Sequence, residues 1–161
     1  MNISSQTQLA ENNGIGIYLG FANRLGANVL NEQGTNFAIY APNAQSVQLC
    51  LFDEKETLTH TIEMPAKTGR IWHVYLAGIK SGQFYAYRIN GEYSPEKGLF
   101  QDPQKLLIDP YAKGLNRPVV WNERLYQGDS QYMIPKCIVQ SEIFDWQQVP
   151  KPVIPDSDTV L

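Results

Sequence analysis

Apolar and polar residues alternate along the middle of the chain, and this alternation predicts short β-strands. It recurs in five segments, at residues 36–41, 46–52, 57–64, 71–76 and 83–89. In the second segment, Val47, Leu49 and Leu51 fall on one face, whereas Cys50 and Phe52 fall on the other. Successive side chains of a strand point to opposite faces, so this pattern is typical of a strand with one face on a core.

Turn residues separate the five segments. Asn90-Gly91 follows the last of them and predicts a two-residue hairpin turn, because both central positions of that turn require a positive φ. No sustained helical period lies between the segments. Short strands joined by turns predict an all-β fold, an immunoglobulin-like antiparallel β-sandwich over residues 21–112.

The two ends of the chain differ from this middle part. Residues 1–20 are rich in Asn, Gln, Ser and Gly and show no sustained period, so we expect a loosely ordered leader. Beyond residue 93, prolines at positions 95, 103, 110 and 118 interrupt each apolar run before a helix could form. Residues 113–161 are predicted to be a Pro-rich irregular C-terminal extension, whose last dozen residues form a stiff connector.

Composition and charge exclude several classes of protein. The 161 residues are 43% hydrophobic and 18% charged, as expected for one globular domain. The net charge is -3 and the basic residues are scattered singly, so we expect neither a nucleic-acid nor a membrane partner. The first residues have neither the basic nor the apolar region of a signal peptide, which predicts a cytoplasmic protein.

Few residue patterns suggest catalysis. Asp102 and Asp109 each precede a proline, and an aspartate in that position is typical of a turn. The acidic residues at 53, 54 and 56 lie around another predicted turn, where a solvated loop is the simpler interpretation. His60 and His73 are the only histidines, and the chain has no HExxH or GxSxG motif. No catalytic residue, metal or cofactor is predicted, and His73 is interpreted as a hydrogen-bonded strand residue.

The two cysteines and the aromatic residues are the remaining candidates. Cys50 and Cys137 have no metal-binding or redox spacing, so we predict buried free thiols. A flat aromatic ring can stack on the apolar face of a glucose unit. The candidates for such stacking are Trp72, Tyr75, Tyr85 and Tyr87, which lie on adjoining predicted strands. Core packing or contact with another domain are the alternatives for these rings.

Several short runs resemble one family. They are LCLFD at 49–53, WHVY at 72–75, YAYRING at 85–91, KLLIDPYA at 105–112 and PKC at 135–137. Together they resemble the N-terminal module of bacterial glycogen debranching enzymes, in the isoamylase branch of the α-amylase superfamily. The resemblance covers roughly residues 25–161, and residues 158–161 are similar to the start of the first strand of the family's (β/α)₈ barrel.

The resemblance implies a function for the chain. In that family the catalytic carboxylates belong to the barrel, so no catalytic residue is carried over to this chain. We expect a noncatalytic module of an enzyme that hydrolyses α-1,6 branches in glycogen or limit dextrin. The module would pack on the barrel and help to shape substrate access. Leu106, Leu107, Ile108 and Tyr111 are the expected interdomain contacts, and their exposure in the isolated chain would favour self-association.

Two departures from the family keep alternatives open. Phe100 and Asp102 stand where the family has Arg and Asn, so the contact made by that Arg is absent. The run Asp53-Glu54-Lys55 stands where related glycan-binding modules have an Asn-Trp pair. The main alternative is a stand-alone α-glucan-binding or regulatory module. An adhesion or chaperone domain is a third hypothesis, because a fold does not fix a function, and the unpaired Cys50 argues against it.

Overall fold

Two antiparallel sheets face each other in the computed structural model, which describes residue 3, residues 6–30 and residues 33–141. The strands in these residues are β1 (Ala10–Asn12), β2 (Ile15–Tyr18), β3 (Gly26–Leu30), β4 (Gly34–Tyr40), β5 (Ala44–Phe52), β6 (Leu58–Glu63), β7 (Ala66–Thr68), β8 (Ile71–Ala77), β9 (Phe84–Gly91), β10 (Tyr93–Ser94), β11 (Leu99–Phe100) and β12 (Cys137–Ile138). Pro95–Lys97 and Glu123–Tyr126 form short 3-10 helices. The predicted antiparallel β-sandwich is confirmed.

The order of strands shows how the sandwich is assembled. The first sheet has the order β1-β2-β8-β4-β3, with β7 also paired to β8, and the second has the order β12-β9-β5-β6. A small separate hairpin joins β10 to β11. All five strands predicted from alternation are present, as β4, β5, β6, β8 and β9. The stiff connector and the barrel-like residues 158–161 lie outside the described residues.

Two apolar clusters pack against the second sheet, one on each face. Val47, Leu49 and Leu51 of β5 lie in the main core between the sheets, as their alternation predicted. Cys50 and Phe52 face the other way and pack with Leu106 in a second cluster. That cluster also contacts Ile134, so residues beyond β11 cover the outer face of the sheet. Both cysteines are buried free thiols, as predicted.

The predicted hairpin turn at Asn90-Gly91 is wrong. Both residues continue β9, where Asn90 pairs with Ser46 and Gly91 pairs with Ala44 of β5. The long neighbouring strand β5 offers a partner for these two residues, and sheet pairing therefore overrides the local turn preference.

A turn of this kind forms instead near the start of the chain. Asn13 and Gly14 have φ angles of 46° and 86° and join β1 to β2. Residues 10–18 thus form a hairpin that pairs with β8 through Ile17 and Tyr18, rather than an irregular leader. The hairpin adds two strands to the first sheet.

His73 illustrates how this N-terminal segment is attached to the sandwich. The side chain is buried, with its Nδ1 2.8 Å from the carbonyl oxygen of Leu19 and its Nε2 2.8 Å from the Thr68 hydroxyl. Gly20 follows with a φ of 73°, and a Cβ there would come within 2.7 Å of the Tyr75 backbone nitrogen. His73 is therefore the hydrogen-bonded strand residue that the sequence predicted.

Candidate functional site

Three of the four stacking candidates are buried, Tyr85 and Tyr87 in the main core and Tyr75 on the other face of its sheet beside Tyr18. Tyr75, Tyr85 and Tyr87 are 2%, 1% and 0% exposed. Tyr85 packs edge-to-face on Phe37 and on Tyr87, with ring centroids 5.1 and 5.8 Å apart. Rings in these positions have protein on their faces, which leaves no face open to a sugar in this conformation.

The hydroxyl groups of the two innermost tyrosines have different surroundings. Tyr85 donates to Asp109 Oδ2 at 2.8 Å. The hydroxyl of Tyr87 is buried and has no hydrogen-bond partner among the described residues. Burial raises the pKa of both phenols well above the ordinary value, so both remain protonated donors.

Asp109 anchors the 105–112 run to the sandwich. Its Oδ1 accepts the backbone N–H of Tyr111 at 2.8 Å, and its own backbone N–H donates to Cys137 Sγ at 3.2 Å. Burial raises the pKa of the carboxyl above its usual range. Asp102 likewise accepts the backbone N–H of Gln104 at 2.8 Å. Both aspartates stabilise turns, as their position before proline predicted.

Trp72 is the stacking candidate that keeps some exposure. The ring is half-buried against the main core, and Lys67 Nζ lies 5.1 Å from its centroid. Lys67 also donates to the carbonyl oxygens of Pro42 and Ala44, at 3.2 and 3.3 Å, which holds the ammonium over the ring. The indole Nε1 is buried without a partner among the described residues. Stacking of glucose on Trp72 stays a prediction.

The four expected interdomain contacts do not share one surface. Leu106 is buried in the second cluster, and Ile108 packs against the main core. Leu107 and Tyr111 are exposed, at 38% and 57%. The backbone of Leu107 pairs with Tyr87 of β9, with N···O distances of 2.8 and 3.0 Å. Leu107 and Tyr111 are therefore the members of the set that are available to a partner.

A carboxylate of the sandwich holds the extension in place. Glu56, in the β5–β6 turn, accepts hydrogen bonds from Asn116 Nδ2 at 2.7 Å, Arg117 Nε at 2.8 Å and Lys136 Nζ at 3.2 Å. These donors, led by Arg117, lower the pKa of Glu56 to about 2. Three side chains beyond residue 112 thus converge on one residue of the sandwich.

Lys136 is completely buried in this arrangement. Its Nζ donates to the carbonyl oxygens of Gln131 at 2.7 Å and Ile134 at 2.5 Å, and it lies 5.0 Å from the centroid of the Phe52 ring. Burial lowers the pKa of the ammonium, and Glu56 opposes that shift. Hydrogen bonds and the paired carboxylate compensate for removing this charge from water.

A groove opens between the β10–β11 hairpin and the second 3-10 helix, with a volume of about 560 Å³. We call it the aromatic groove; it is lined by Tyr93, Phe100, Asp102, Lys105, Leu106, Leu107, Leu125, Tyr126, Ser130 and Ile134. The rings of Tyr93 and Phe100 are 64% and 65% exposed and meet edge-to-face at 85°, with centroids 6.3 Å apart. Tyr126 also lines the groove and is 77% exposed.

Sequence reasoning missed this groove as a site. The sequence did offer a signal at Phe100, because an aromatic residue stands there at the position where the resembled family usually has Arg. Tyr126 carried none, since it lies in an irregular stretch without a period. Further large side chains of the extension are also exposed, among them Val120, Trp121 and Tyr132. In the described part of the chain, no group of His, Cys, Asp or Glu side chains could hold a metal ion.

The two facing sheets and the covered outer face of the second sheet define the class, a β-sandwich module with a packed C-terminal extension. The model of one family, carbohydrate-binding module 48 (isoamylase N-terminal domain), matches residues 24–112. The chain belongs to this family, whose members are noncatalytic modules, and the resemblance noted from the sequence is confirmed. Among the described residues, none forms a helix with the length and apolar character needed to cross a bilayer.

Similar proteins agree with this assignment. A glycogen debranching enzyme of Yersinia enterocolitica is 44% identical over 135 residues, which cover 80% of this chain and 20% of the relative. One of Serratia proteamaculans is 40% identical over 149 residues, covering 88% of this chain and 22% of the relative. The chain thus spans about a fifth of the length of the curated relatives it matches.

Solved structures share the fold. A pullulanase from Bacillus acidopullulyticus has a TM-score of 0.51 and 26% identity, over 74% of this chain and 12% of the pullulanase. The catalytic module of SpuA, a glycogen-degrading pneumococcal virulence factor, has a TM-score of 0.54 and 20% identity, over 74% of this chain and 17% of that module. In both cases the similar region is a small part of a larger protein.

Proposed function

We propose that this chain acts as the noncatalytic module of a glycogen debranching enzyme. The rest of that enzyme would hydrolyse α-1,6-glucosidic branches in glycogen or limit dextrin, and this module would pack on the catalytic barrel. The observation that carries the proposal is the 44% identity to one fifth of a glycogen debranching enzyme. The cytoplasmic location stays a prediction.

Exposed apolar side chains support a docking role. Leu107 and Tyr111 of the 105–112 run are exposed, and Trp121 and Tyr132 of the extension are exposed at 80% and 81%. Exposed apolar side chains can mark interaction sites, and aromatic residues are enriched in interfaces. In this proposal the exposed residues contact the barrel, whereas Leu106 and Ile108 fix the segment to the sandwich.

The hydrogen bonds between the extension and the sandwich support the view that the two dock on the barrel as one rigid unit. Asn116, Arg117 and Lys136 all bond to Glu56, and β12 adds a strand to the second sheet through Cys137. We propose that residues 21–112 and the described part of the extension move together against the barrel. The boundary at residue 112 then marks where the match to the sequence family ends, and it does not separate two rigid bodies.

The intact mass of the native gene product tests the proposal. An antibody raised against this chain should detect a protein several times heavier than 18.2 kDa in the source cells, and that protein should release linear chains from limit dextrin. A single band at 18.2 kDa would contradict the proposal and favour a stand-alone α-glucan-binding module. The family's description as a carbohydrate-binding module is the observation that supports this second candidate.

Self-association of the isolated chain has its own test. If Leu107, Tyr111 and Trp121 normally contact a barrel, the isolated chain should associate as its concentration rises. Light scattering after size-exclusion chromatography should show a mass above 18.2 kDa, which falls in a Trp121→Ser variant. A monodisperse monomer at high concentration would contradict self-association.

A further inference from the structure

The aromatic groove combines apolar walls with polar groups in one concave site. Tyr93 and Phe100 form a corner of two rings at 85°, and Leu125 and Tyr126 add further apolar surface. The cavity of about 560 Å³ lies within the range of small-molecule sites, roughly 300–1,000 Å³. The three rings are exposed, so a ligand could reach their faces without a rearrangement.

Hydrogen bonds fix the groove's geometry. Lys105 Nζ donates to the carbonyl oxygens of Leu125 at 3.0 Å and Gly128 at 2.7 Å. These two bonds connect the segment that follows the β10–β11 hairpin to the second 3-10 helix and the residues after it. Ser130 Oγ accepts the backbone N–H of Leu106 at 2.8 Å and is buried at the base. Residues 125–130, which include Tyr126, are therefore held by bonds to Lys105 and Leu106 and are preorganised.

One acceptor in the groove is still available. Asp102 uses Oδ1 for the backbone N–H of Gln104, and its Oδ2 has no hydrogen-bond partner within the described residues. An apolar protein segment that filled the groove would remove this oxygen from water without giving it a donor, which is unfavourable. A ligand with hydroxyl groups beside an apolar face would satisfy both the oxygen and the rings.

From this combination we infer that the aromatic groove binds α-1,4-linked glucose units, with the rings of Tyr93, Phe100 and Tyr126 against the apolar sugar faces and Asp102 accepting from a sugar hydroxyl. The inference rests on the proposed function, because α-glucan is the material on which that enzyme would act. It assigns glucan contact to the β10–β11 hairpin and the extension rather than to the sandwich strands. Trp121 and Tyr132 do not line the groove and remain available for docking.

Titration of the 161-residue chain with maltoheptaose, followed by calorimetry and by changes in tyrosine resonances, tests the inference. Tyr93→Ala and Tyr126→Ala should each weaken binding by about tenfold, since each removes one stacked ring. Tyr132→Ala is the matched control, because this tyrosine is 81% exposed and lies outside the groove, and it should leave the affinity unchanged within about twofold. Circular dichroism should show the same fold in all three variants, because all three side chains are exposed.

Three other results of these titrations would contradict the inference, each in a different way. Undiminished binding by the Tyr93→Ala and Tyr126→Ala variants would place the glucan elsewhere, for example at Trp72. No binding by the unmodified chain would exclude a glucan site, whereas the proposed function would still be judged by the mass and activity of the native gene product. Equal affinity for the β-1,4-linked cellohexaose would contradict the assignment to an α-glucan, because the two linkages present the sugar faces differently.

Discussion

Tyr85 donates a hydrogen bond to Asp109 across the boundary between the sandwich and the 105–112 run. The distance from Oη to Oδ2 is 2.8 Å, and both side chains are buried. The same carboxylate holds the turn at Tyr111 through its other oxygen. One buried carboxylate therefore connects a core strand to a surface segment.

Removal of the Tyr85 hydroxyl should destabilise the chain. In Tyr85→Phe, Asp109 Oδ2 loses its donor while it stays buried, and the free energy of unfolding should fall by about 1–3 kcal/mol. Tyr87→Phe is a matched control on the same strand, because that hydroxyl has no partner among the described residues. Urea denaturation of both variants measures the difference, and a Tyr87→Phe variant that is as unstable as Tyr85→Phe would contradict this account.

The carboxylate of Glu56 should make stability depend on pH. Its pKa is lowered from 4.5 to about 2 in the folded chain, so the native state binds fewer protons than the unfolded state in that range. The stabilisation is complete above the unfolded pKa and is lost as the pH falls from 4.5 toward 2. Asp109, whose pKa is raised by burial, contributes with the opposite sign.

A charge-removing substitution isolates the effect of Glu56. Glu56→Gln should lower the free energy of unfolding at pH 7 by about 1–3 kcal/mol, because Arg117 and Lys136 lose their counter-charge. The difference from the unmodified chain should shrink as the pH approaches 2, as measured by urea titrations at several pH values. Glu54→Gln, at an exposed neighbouring position, should show neither effect.

The two thiols should be unreactive in the folded chain. Cys50 and Cys137 are completely buried, and burial raises the pKa of Cys137 to about 12 and that of Cys50 above its ordinary value. Because the thiolate is the reactive form, Ellman's reagent at pH 8 should label neither thiol until the chain opens. A Glu54→Cys variant should react at once at that exposed position, and rapid labelling of the unmodified chain would contradict the burial of both cysteines.

The turn between β1 and β2 should depend on its glycine. Gly14 has a φ of 86°, so Gly14→Ala should cost about 1 kcal/mol of stability. The Asn13→Gly variant keeps a residue that adopts positive φ readily and should be close to neutral. Thermal melting measures both, and equal melting temperatures for the two variants would mean that the hairpin contributes little to the fold.

The sequence was sufficient to predict the strands that have one face on the core. Alternation in β5 identified Val47, Leu49 and Leu51 as core residues, and they lie between the sheets. It could not reveal that the opposite face, with Cys50 and Phe52, is covered by residues more than fifty positions away. Local periodicity reports that a side chain is apolar, whereas the segment that covers it is set by the tertiary fold.

The two Asn-Gly pairs show the same limit for turns. At positions 13–14 the pair joins two short strands and forms the expected turn, whereas at positions 90–91 it continues β9 opposite β5. The stacking candidates show the same limit, because the sequence did not reveal which rings are buried. Tyr85 and Tyr87 lie on the core side of β9 at the centre of the second sheet, and only the tertiary structure showed that exposed rings occur instead at Tyr93 and Phe100.

The bonds that converge on Glu56 also bear on how the chain folds. Lys136 is 80 positions away from Glu56, and closing so long a loop costs entropy before the contact forms. The neighbouring strands β5 and β6, joined by the turn that carries Glu56, can pair much earlier because they are adjacent in sequence. Contacts that form after the rate-limiting step slow unfolding without speeding folding. The extension would therefore set how long the native state persists, while the sandwich sets how fast it is reached.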